Sequence, residues 1–138
     1  MLPWIVRGRS MEPALSDGLR VRGRPLASAD APARGDVLIV RSPSAPRRRE
    51  IKRVVGLPGE RVAWNGQGAL WIDGRCLEEP YARLGAAVPG DDEVREVRLG
   101  AEDYFVAGDN RLHSTDSRRY GPLRIAQLTS RVDIAPRV

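Results

Sequence analysis

Glycine and proline recur so often in this chain that no long helix fits between them. There are 14 glycines and 11 prolines among 138 residues, and both residues weaken or break helices. Between these breaks the apolar residues form short runs typical of strands, without the three-to-four-residue spacing of an amphipathic helix. The chain is therefore expected to be mostly β, an antiparallel fold of short strands, long loops and little helix.

Eight short segments carry the strand pattern. They are 19–22, 37–40, 51–57, 61–64, 70–72, 75–77, 94–99 and 104–107. Asn65-Gly66 and Asp73-Gly74 are predicted to form hairpin turns, because tight hairpins need positive φ and these residues tolerate it. Loops are expected at 42–49 and 81–92, and helix is limited to single turns after Ser10 and at 125–128.

The bulk properties fit one soluble domain over residues 1–138, with residues 1–7 as an N-terminal stub that is expected to form a first strand or to pack into the core. Hydrophobic residues make up 41% and charged residues 30% of the chain, a balance typical of globular proteins. No apolar run reaches the roughly 18 residues that a membrane span needs. One cysteine allows no intrachain disulfide, and one histidine with one cysteine does not make a metal site. No cofactor or metal is expected.

All but one of the basic residues are arginines. Lysine and arginine together number 23, yet only Lys52 is a lysine. Arginine keeps its proton in proteins, whereas a desolvated lysine can lose it. An exclusive lysine therefore suggests a site that uses a neutral amine, as a general base or a Schiff-base nucleophile. The alternative is that an arginine-biased chain has kept a stray lysine by chance.

Three blocks of small and polar residues stand out. They are GRSMEPAL at 8–15, KRVVGLPG at 52–59 and GDNRLHSTDSR at 108–118. Shorter segments accompany them: RGDVL at 34–38, EPY at 79–81 and GPL at 121–123. Together, and in this order, the segments resemble the bacterial signal peptidase I family, which are Ser-Lys dyad serine peptidases. The resemblance covers 8–131 and implies that family's antiparallel catalytic β fold.

The resemblance also implies roles for individual residues. Ser10 matches the family's nucleophile and Lys52 its general base. Ser114 matches the serine that hydrogen-bonds the lysine amine and fixes its direction. Asp116 and Arg118 match a pair that supports the site structurally.

The resemblance leaves one part of the oxyanion site open. The backbone N–H of Ser10 is expected to donate to the developing oxyanion. Some family members add a serine hydroxyl two residues before the nucleophile, where this chain has Gly8. The second donor is therefore absent or supplied otherwise. Typical members also carry a membrane anchor where this chain has its stub at 1–7.

The chemistry explains why the lysine must be buried. A serine hydroxyl is a poor nucleophile until a base takes its proton. Lysine is such a base only when neutral, and apolar burial lowers its pKa because it disfavours the charged form. The apolar run at 51–57 can supply that setting. Strand alternation would place Arg53 on the face opposite Lys52, so that desolvation is the main cause and like charge a smaller one.

Several of these residues also have purely structural interpretations. Ser10 could cap a helix. The segment 109–111 could simply form a turn, and Asp116 with Arg118 could be a surface ion pair of little energetic value.

Three further features are given no catalytic role. His113 is the only histidine, but a Ser-Lys dyad needs none. Cys76 follows an Asp-Gly turn and is expected to be a buried packing residue. The arginines at 47–49 are expected to lie in a solvated loop, with anionic lipid or nucleic acid as alternative contacts.

The leading hypothesis is a serine endopeptidase that removes N-terminal signal or pro-segments after small residues in an Ala-x-Ala pattern. One alternative is a soluble maturation protease for a single precursor, such as nickel superoxide dismutase. An alternative of another class is a non-catalytic, arginine-rich β module that binds nucleic acid or a membrane surface. Under the leading hypothesis the partner is a peptide or protein precursor, with contact to a membrane surface allowed and no nucleic acid expected. The location is then cytoplasmic or peripheral to a membrane.

Overall fold

The computed structural model describes residues 2–27, 29–43 and 48–133. Its strands are β1 (Leu2–Ile5), β2 (Arg20–Pro25), β3 (Val37–Arg41), β4 (Arg49–Gly56), β5 (Arg61–Asn65), β6 (Leu70–Ile72), β7 (Arg75–Cys76), β8 (Val94–Arg98), β9 (Asp103–Ala107), β10 (Leu123–Arg124) and β11 (Leu128–Val132). Helix is confined to α1 (Ser117–Tyr120) and to 3₁₀ turns at Arg111–His113 and Ile125–Gln127. The expected mostly β architecture is confirmed.

Two antiparallel sheets form the molecule. The larger has seven strands in the order β1-β2-β11-β3-β4-β9-β10, and the smaller has four in the order β7-β6-β5-β8. The buried aliphatic and aromatic residues form three clusters, and the first two belong to the larger sheet and its loops. The third cluster joins the two sheets, because Val55 of β4 and Phe105 of β9 pack with Val62 of β5 and Leu70 of β6.

The sequence located β2 to β9 and missed β10 and β11. β1 agrees with the first strand expected as one form of the N-terminal stub, and β11 lies between β2 and β3 within the larger sheet. Only the two ends of β11, Leu128 and Val132, are fully buried. Its middle residues are Thr, Ser and Arg, so the strand shows no apolar alternation that a sequence pattern could reveal.

The expected helical turns are only partly present. Residues 10–14 form a turn rather than a helix, closed by a 2.9 Å hydrogen bond from Leu15 N–H to the Met11 carbonyl. At the second position a 3₁₀ turn covers Ile125–Gln127, and Leu128 already begins β11. The helix α1 was not predicted.

The two hairpin signals had different outcomes. Asp73 and Gly74 have φ of 49° and 83° and join β6 to β7 directly, as predicted. Asn65 ends β5, but its Oδ1 accepts from Gln67 N–H and Ala69 N–H at 3.1 and 3.0 Å, so the connection to β6 is a longer loop. The side chain of Asn65 thus stabilises that loop in place of a two-residue turn.

The predicted loops lie between the strands, as expected. Of the first, residues 44–47 lie outside the described residues, and β4 already begins at Arg49. The second, 81–92, is irregular apart from a bridge between Arg83 and Asn110. No helix within the described ranges is long and apolar enough to cross a membrane.

The register of β4 sets up the site. In the antiparallel pair of β3 and β4, Leu38 lies opposite Lys52, and Val37 lies opposite Arg53. Consecutive strand residues point to opposite faces. Lys52 and Arg53 therefore enter different environments although they are adjacent in sequence.

Candidate active site

The segment that carries Ser10 is held from both sides. Val6 and Met11, on either side of Ser10, are buried in the first core cluster. From the other side, Asn110 N–H donates to the Ser10 carbonyl at 2.9 Å, and Asn110 Nδ2 donates to the Arg9 carbonyl at 3.1 Å. Ser10 is therefore fixed by packing and by backbone hydrogen bonds, and it does not cap a helix.

Lys52 projects from a central strand into a nearly dry environment. Its side chain is flanked on β3 and β4 by apolar residues of the second core cluster, Leu38 and Val54, and Lys52 is only 4% exposed. A buried ammonium needs strong compensation. Its closest carboxylate oxygen among the described residues is Glu50 Oε2, at 3.9 Å from Nζ, which is too long for a hydrogen bond.

Ser114 is the hydrogen-bond partner of the Lys52 amine. Lys52 Nζ donates to Ser114 Oγ at 3.3 Å, and Ser114 Oγ in turn donates to Asp116 Oδ2 at 2.7 Å. Gly108 N–H donates to both Ser114 Oγ and Asp116 Oδ2, at 3.1 and 2.9 Å. A Cβ on Gly108 would lie 2.2 Å from Ser114 Oγ, so only glycine allows this close approach.

Asp116 and Arg118 form a buried support rather than a surface pair. Asp116 is fully buried and accepts from Arg118 Nε at 2.9 Å and from Arg118 Nη2 at 3.0 Å. Arg118 Nη2 also donates to the carbonyls of Arg111 and Ser114, at 2.8 and 3.3 Å. Arg118, Asp116, Ser114 and Lys52 therefore form one continuous chain of hydrogen bonds.

The charges around Lys52 act in opposite directions. Burial lowers the pKa of Lys52 below its ordinary value and is the largest effect, while the carboxylates of Glu50 and Asp116 raise it and Arg118 lowers it. Burial raises the pKa of Asp116, but hydrogen bonds and charge from Arg118 outweigh it, so that this pKa lies below the ordinary value. The surroundings therefore favour the ionised form of Asp116 and lower the pKa of the Lys52 amine.

Ser10 and Lys52 line the same groove, which has a volume of about 380 Å³. The wall also includes Trp4 and Ile5 of the edge strand β1, and the exposed His113. Within the described residues no hydrogen bond joins the Ser10 hydroxyl to the Lys52 amine. The two side chains share one solvent-facing groove, which gives a substrate access to both.

The backbone before the nucleophile explains the glycine at position 8. Gly8 has a φ of +85°, and its N–H donates to Asp17 Oδ1 at 2.8 Å. Residues with a Cβ rarely adopt this left-handed conformation. Because glycine has no side chain, position 8 offers no hydroxyl to an oxyanion. In the part of the chain that the structure describes, the Ser10 N–H donates to no protein acceptor.

The neighbours of the site are structural, and sequence reasoning undervalued them. Asp109 is fully buried and accepts from Arg53 Nε and Nη2, both at 2.8 Å. Arg53 Nη1 donates to the Gly35 carbonyl at 2.8 Å, and its guanidinium lies 3.8 Å from the Tyr81 ring centre. Asp109 is therefore an ion-pair partner of β4 and not merely a turn residue.

Arg111 also has a role that a turn interpretation misses. It is 2% exposed, donates to the carbonyls of Gly108 and Gly68, both at 2.7 Å, and forms a two-point ion pair with Glu79. These contacts hold the loop of residues 108–110 against the smaller sheet. No sequence pattern indicated this pair, because its partners lie 32 residues apart.

The position of Cys76 departs from the expectation. Cys76 is exposed, so the expectation of a buried packing residue is wrong: it lies at the end of the short edge strand β7, where one neighbouring strand cannot cover it. The described residues contain no group of three or more His, Cys, Asp or Glu side chains placed to hold a metal ion.

Comparison with known proteins places this geometry in a family. The family model described as signal peptidase, peptidase S26, matches residues 1–135. The chain belongs to this family. The signal peptidase I of Bacillus caldolyticus is 35% identical over 140 residues, covering 94% of this chain and 76% of that protein. Signal peptidase I T of Bacillus subtilis (strain 168) is 35% identical over 125 residues, covering 84% of this chain and 63% of that protein.

A solved structure agrees with the sequence comparison. The crystal structure of a signal peptidase I from Enterococcus faecalis V583 matches with a TM-score of 0.55 at 29% identity, covering 73% of this chain and 96% of that one. Membership in the signal peptidase family makes the chain a serine protease, and the predicted family and fold are confirmed. The roles of the individual side chains remain predictions.

Proposed function

We propose that this member of the signal peptidase family is an endopeptidase that uses Ser10 as nucleophile and Lys52 as general base. The observation that carries the proposal is the state of the Lys52 amine. It is desolvated, has one hydrogen bond to a neutral hydroxyl at 3.3 Å, and lines the groove that also holds Ser10. A neutral amine in that position has a lone pair available to accept a proton.

The hydrogen bond to Ser114 gives the amine a direction. A neutral amine has two hydrogens and one lone pair, and one hydrogen is used toward Ser114 Oγ. Because Ser114 Oγ passes its own hydrogen to Asp116, it can only accept from Lys52. The lone pair of Lys52 is then left for the Ser10 hydroxyl when a substrate closes the groove.

The reaction follows from these positions. Ser10 Oγ attacks the scissile carbonyl carbon as its proton passes to Lys52 Nζ, and the Ser10 N–H donates to the resulting oxyanion. Lys52 then gives the proton to the leaving amine, which breaks the C–N bond and leaves an ester on Ser10. A water molecule, deprotonated by Lys52, hydrolyses the ester and restores both side chains.

The shape of the groove suits an extended substrate. β1 is the edge of the seven-stranded sheet and pairs only with β2 among the described strands. Two of its residues, Trp4 and Ile5, line the groove. An extended precursor can add a strand at such an edge, with small side chains entering shallow pockets beside Ser10. We propose that it is cut after small residues in an Ala-x-Ala pattern, which removes an N-terminal signal or pro-segment.

The proposal assigns this work to one catalytic domain over residues 1–138 that needs no cofactor. Its test is cleavage of peptides bearing Ala-x-Ala, with and without detergent, with products identified by mass spectrometry. Ser10→Ala is expected to abolish cleavage after the second alanine. Ser16→Ala, an exposed serine of the same segment, serves as the matched control. Cleavage at the same bond by Ser10→Ala would contradict the proposal.

A further inference from the structure

The groove beside Ser10 carries a cluster of positive charge that the Ser-Lys reaction does not use. Its lining includes Arg7, Arg9, Arg48 and Arg49, here called the arginine rim. The first two flank Gly8, ahead of the nucleophile, and the last two lie at the start of β4, ahead of Lys52. Two distant parts of the chain therefore bring guanidiniums to one concavity.

The rim arginines differ from the arginines that hold the fold together. Arg34, Arg111 and Arg118 each form ion pairs with a carboxylate. All members of the rim are exposed, and within residues 2–27, 29–43 and 48–133 none of them pairs with a carboxylate. Exposed arginines without such a partner also occur elsewhere, for example Arg75 and Arg98, but those lie on the smaller sheet and outside the groove.

The groove supplies little negative charge to balance the arginine rim. Among the described residues that line the groove, Glu50 is the one carboxylate, and its Oε2 lies 3.9 Å from Lys52 Nζ. A cleft lined by charge of one sign concentrates its potential and attracts ligands of the opposite sign. The ligand that fits is therefore an anion that reaches into the groove.

We propose that the arginine rim recognises acidic side chains of the precursor close to the scissile bond. This deepens the proposed function and rests on it, since the acidic segment is part of the same extended chain. The planar guanidinium pairs with a carboxylate through two parallel hydrogen bonds, which gives direction as well as attraction. An extended peptide can follow a concave groove past the rim, whereas a flat lipid surface meets only its outer edges.

The test compares peptides that share one Ala-x-Ala cleavage site. One peptide is neutral, and two others carry three aspartates either before or after that site. At about 50 mM salt, kcat/KM for the better acidic peptide is expected to exceed that of the neutral peptide roughly tenfold, and at about 500 mM salt the preference should fall below about twofold. Arg7→Gln with Arg9→Gln, and Arg48→Gln with Arg49→Gln, should each reduce the preference.

The matched control is Arg75→Gln with Arg98→Gln, which removes the same charge away from the groove and should keep the full preference. Equal kcat/KM for neutral and acidic peptides, or an equal loss of preference in this control, would overturn the rim proposal while leaving the proposed function in place. If none of the three peptides is cut, the proposed function fails instead.

A binding measurement separates recognition by the arginine rim from the peptidase reaction. In a Ser10→Ala background, fluorescence anisotropy should show tighter binding of the labelled acidic peptide than of the neutral one, and this difference should be lost in Arg48→Gln with Arg49→Gln. The same protein is then offered vesicles of phosphatidylglycerol and a single-stranded oligonucleotide. Binding to either of these without preference for the acidic peptide would overturn the proposal.

Discussion

Lys52 and Arg53 are consecutive, buried and basic, yet the fold treats them in opposite ways. Arg53 has a two-point ion pair with Asp109, a hydrogen bond to the Gly35 carbonyl and the ring of Tyr81 beneath it. Within the described part of the chain, the Lys52 amine has one hydrogen bond, to the Ser114 hydroxyl, and the closest carboxylate oxygen lies 3.9 Å from it. The two side chains leave the same strand on opposite faces, which keeps their environments separate.

The difference follows from what each side chain can do. A guanidinium stays charged in a protein, so its burial requires a carboxylate and full hydrogen bonding. An ammonium can lose its proton, and a dry site with few partners favours that loss because it lowers the pKa of the amine. Arg53 is therefore tied to its neighbours by several hydrogen bonds, whereas the Lys52 amine has the few partners that the proposed general base requires.

Removing the ionisable amine of Lys52 should have the largest effect on activity. Lys52→Met is expected to lower kcat/KM for an Ala-x-Ala peptide by roughly 10²–10⁴-fold, the contribution of a general base. Lys52→Arg should also lose activity, because the guanidinium cannot give up its proton. Peptide cleavage followed by mass spectrometry measures both.

Lys52→Met should also raise the free energy of unfolding at neutral pH. The pKa of Lys52 is lowered on folding, so the unfolded chain binds this proton more tightly, and folding loses stability as the pH falls below the ordinary lysine value. The gap between variant and wild type should therefore close at high pH. Retained cleavage in Lys52→Met would contradict the assignment of the base.

Removing the ion pair between Arg53 and Asp109 should lower the stability of the fold. Arg53→Met leaves Asp109 buried without its partner and is expected to lower the free energy of unfolding by roughly 3–5 kcal/mol, measured by urea denaturation. Arg61→Met is the matched control, because its pair with Glu96 is 3.8 Å long and about half exposed, and it should change stability by less than about 1 kcal/mol. Similar losses in both variants would show that burial of the Arg53 pair is unimportant.

The orientation of the amine can be tested with two serines. Ser114→Ala removes the group that accepts from Lys52 and should lower kcat by roughly ten- to a hundredfold without abolishing it, since the base remains but is misdirected. Ser117 is also buried, but its hydroxyl accepts from Val106 N–H at 2.9 Å, so Ser117→Ala should affect stability and not kcat. An unchanged kcat in Ser114→Ala would remove Ser114 from the site.

The smallest effect is expected from the carboxylate beside the lysine. Glu50 raises the pKa of Lys52 against the larger effect of burial, so Glu50→Gln should lower that pKa further. Because the base works when deprotonated, the rising limb of the pH–rate profile should move to lower pH. Glu78→Gln, at an exposed position, is the control. A shift to higher pH in Glu50→Gln would contradict this electrostatic account.

The sequence predicted the centre of the site better than its surroundings. Lys52 stood out as the only lysine. The motif resemblance pointed to Ser114 as its hydrogen-bond partner and to Asp116 with Arg118 as a supporting pair, and the structure links all four side chains by hydrogen bonds. The resemblance offered no role for Asp109 or Asn110. Their partners, Arg53 and the backbone of Ser10, are distant in sequence, and no local pattern encodes such pairs.

For the fold, too, the features set by local sequence were predicted and those set by distant contacts were missed. Strands with a clear apolar pattern, such as β3 and β4, were found within one or two residues. β11 was missed because its middle residues are polar and only half buried. It is a strand because β2 and β3 pair with it on both sides, which is a tertiary effect that propensity does not reveal.

The most direct test of the central claim is to titrate the lysine itself. Since Lys52 is the only lysine, protein labelled with ¹³C,¹⁵N-lysine gives a single side-chain signal by NMR, and its chemical shift against pH reports the pKa of the amine. We expect the titration of Lys52 to have its midpoint below the ordinary value of 10.5, and that of Lys52 in Glu50→Gln to have a still lower midpoint. A midpoint at or above 10.5 in the folded protein would show that Lys52 is a charged side chain and not the general base.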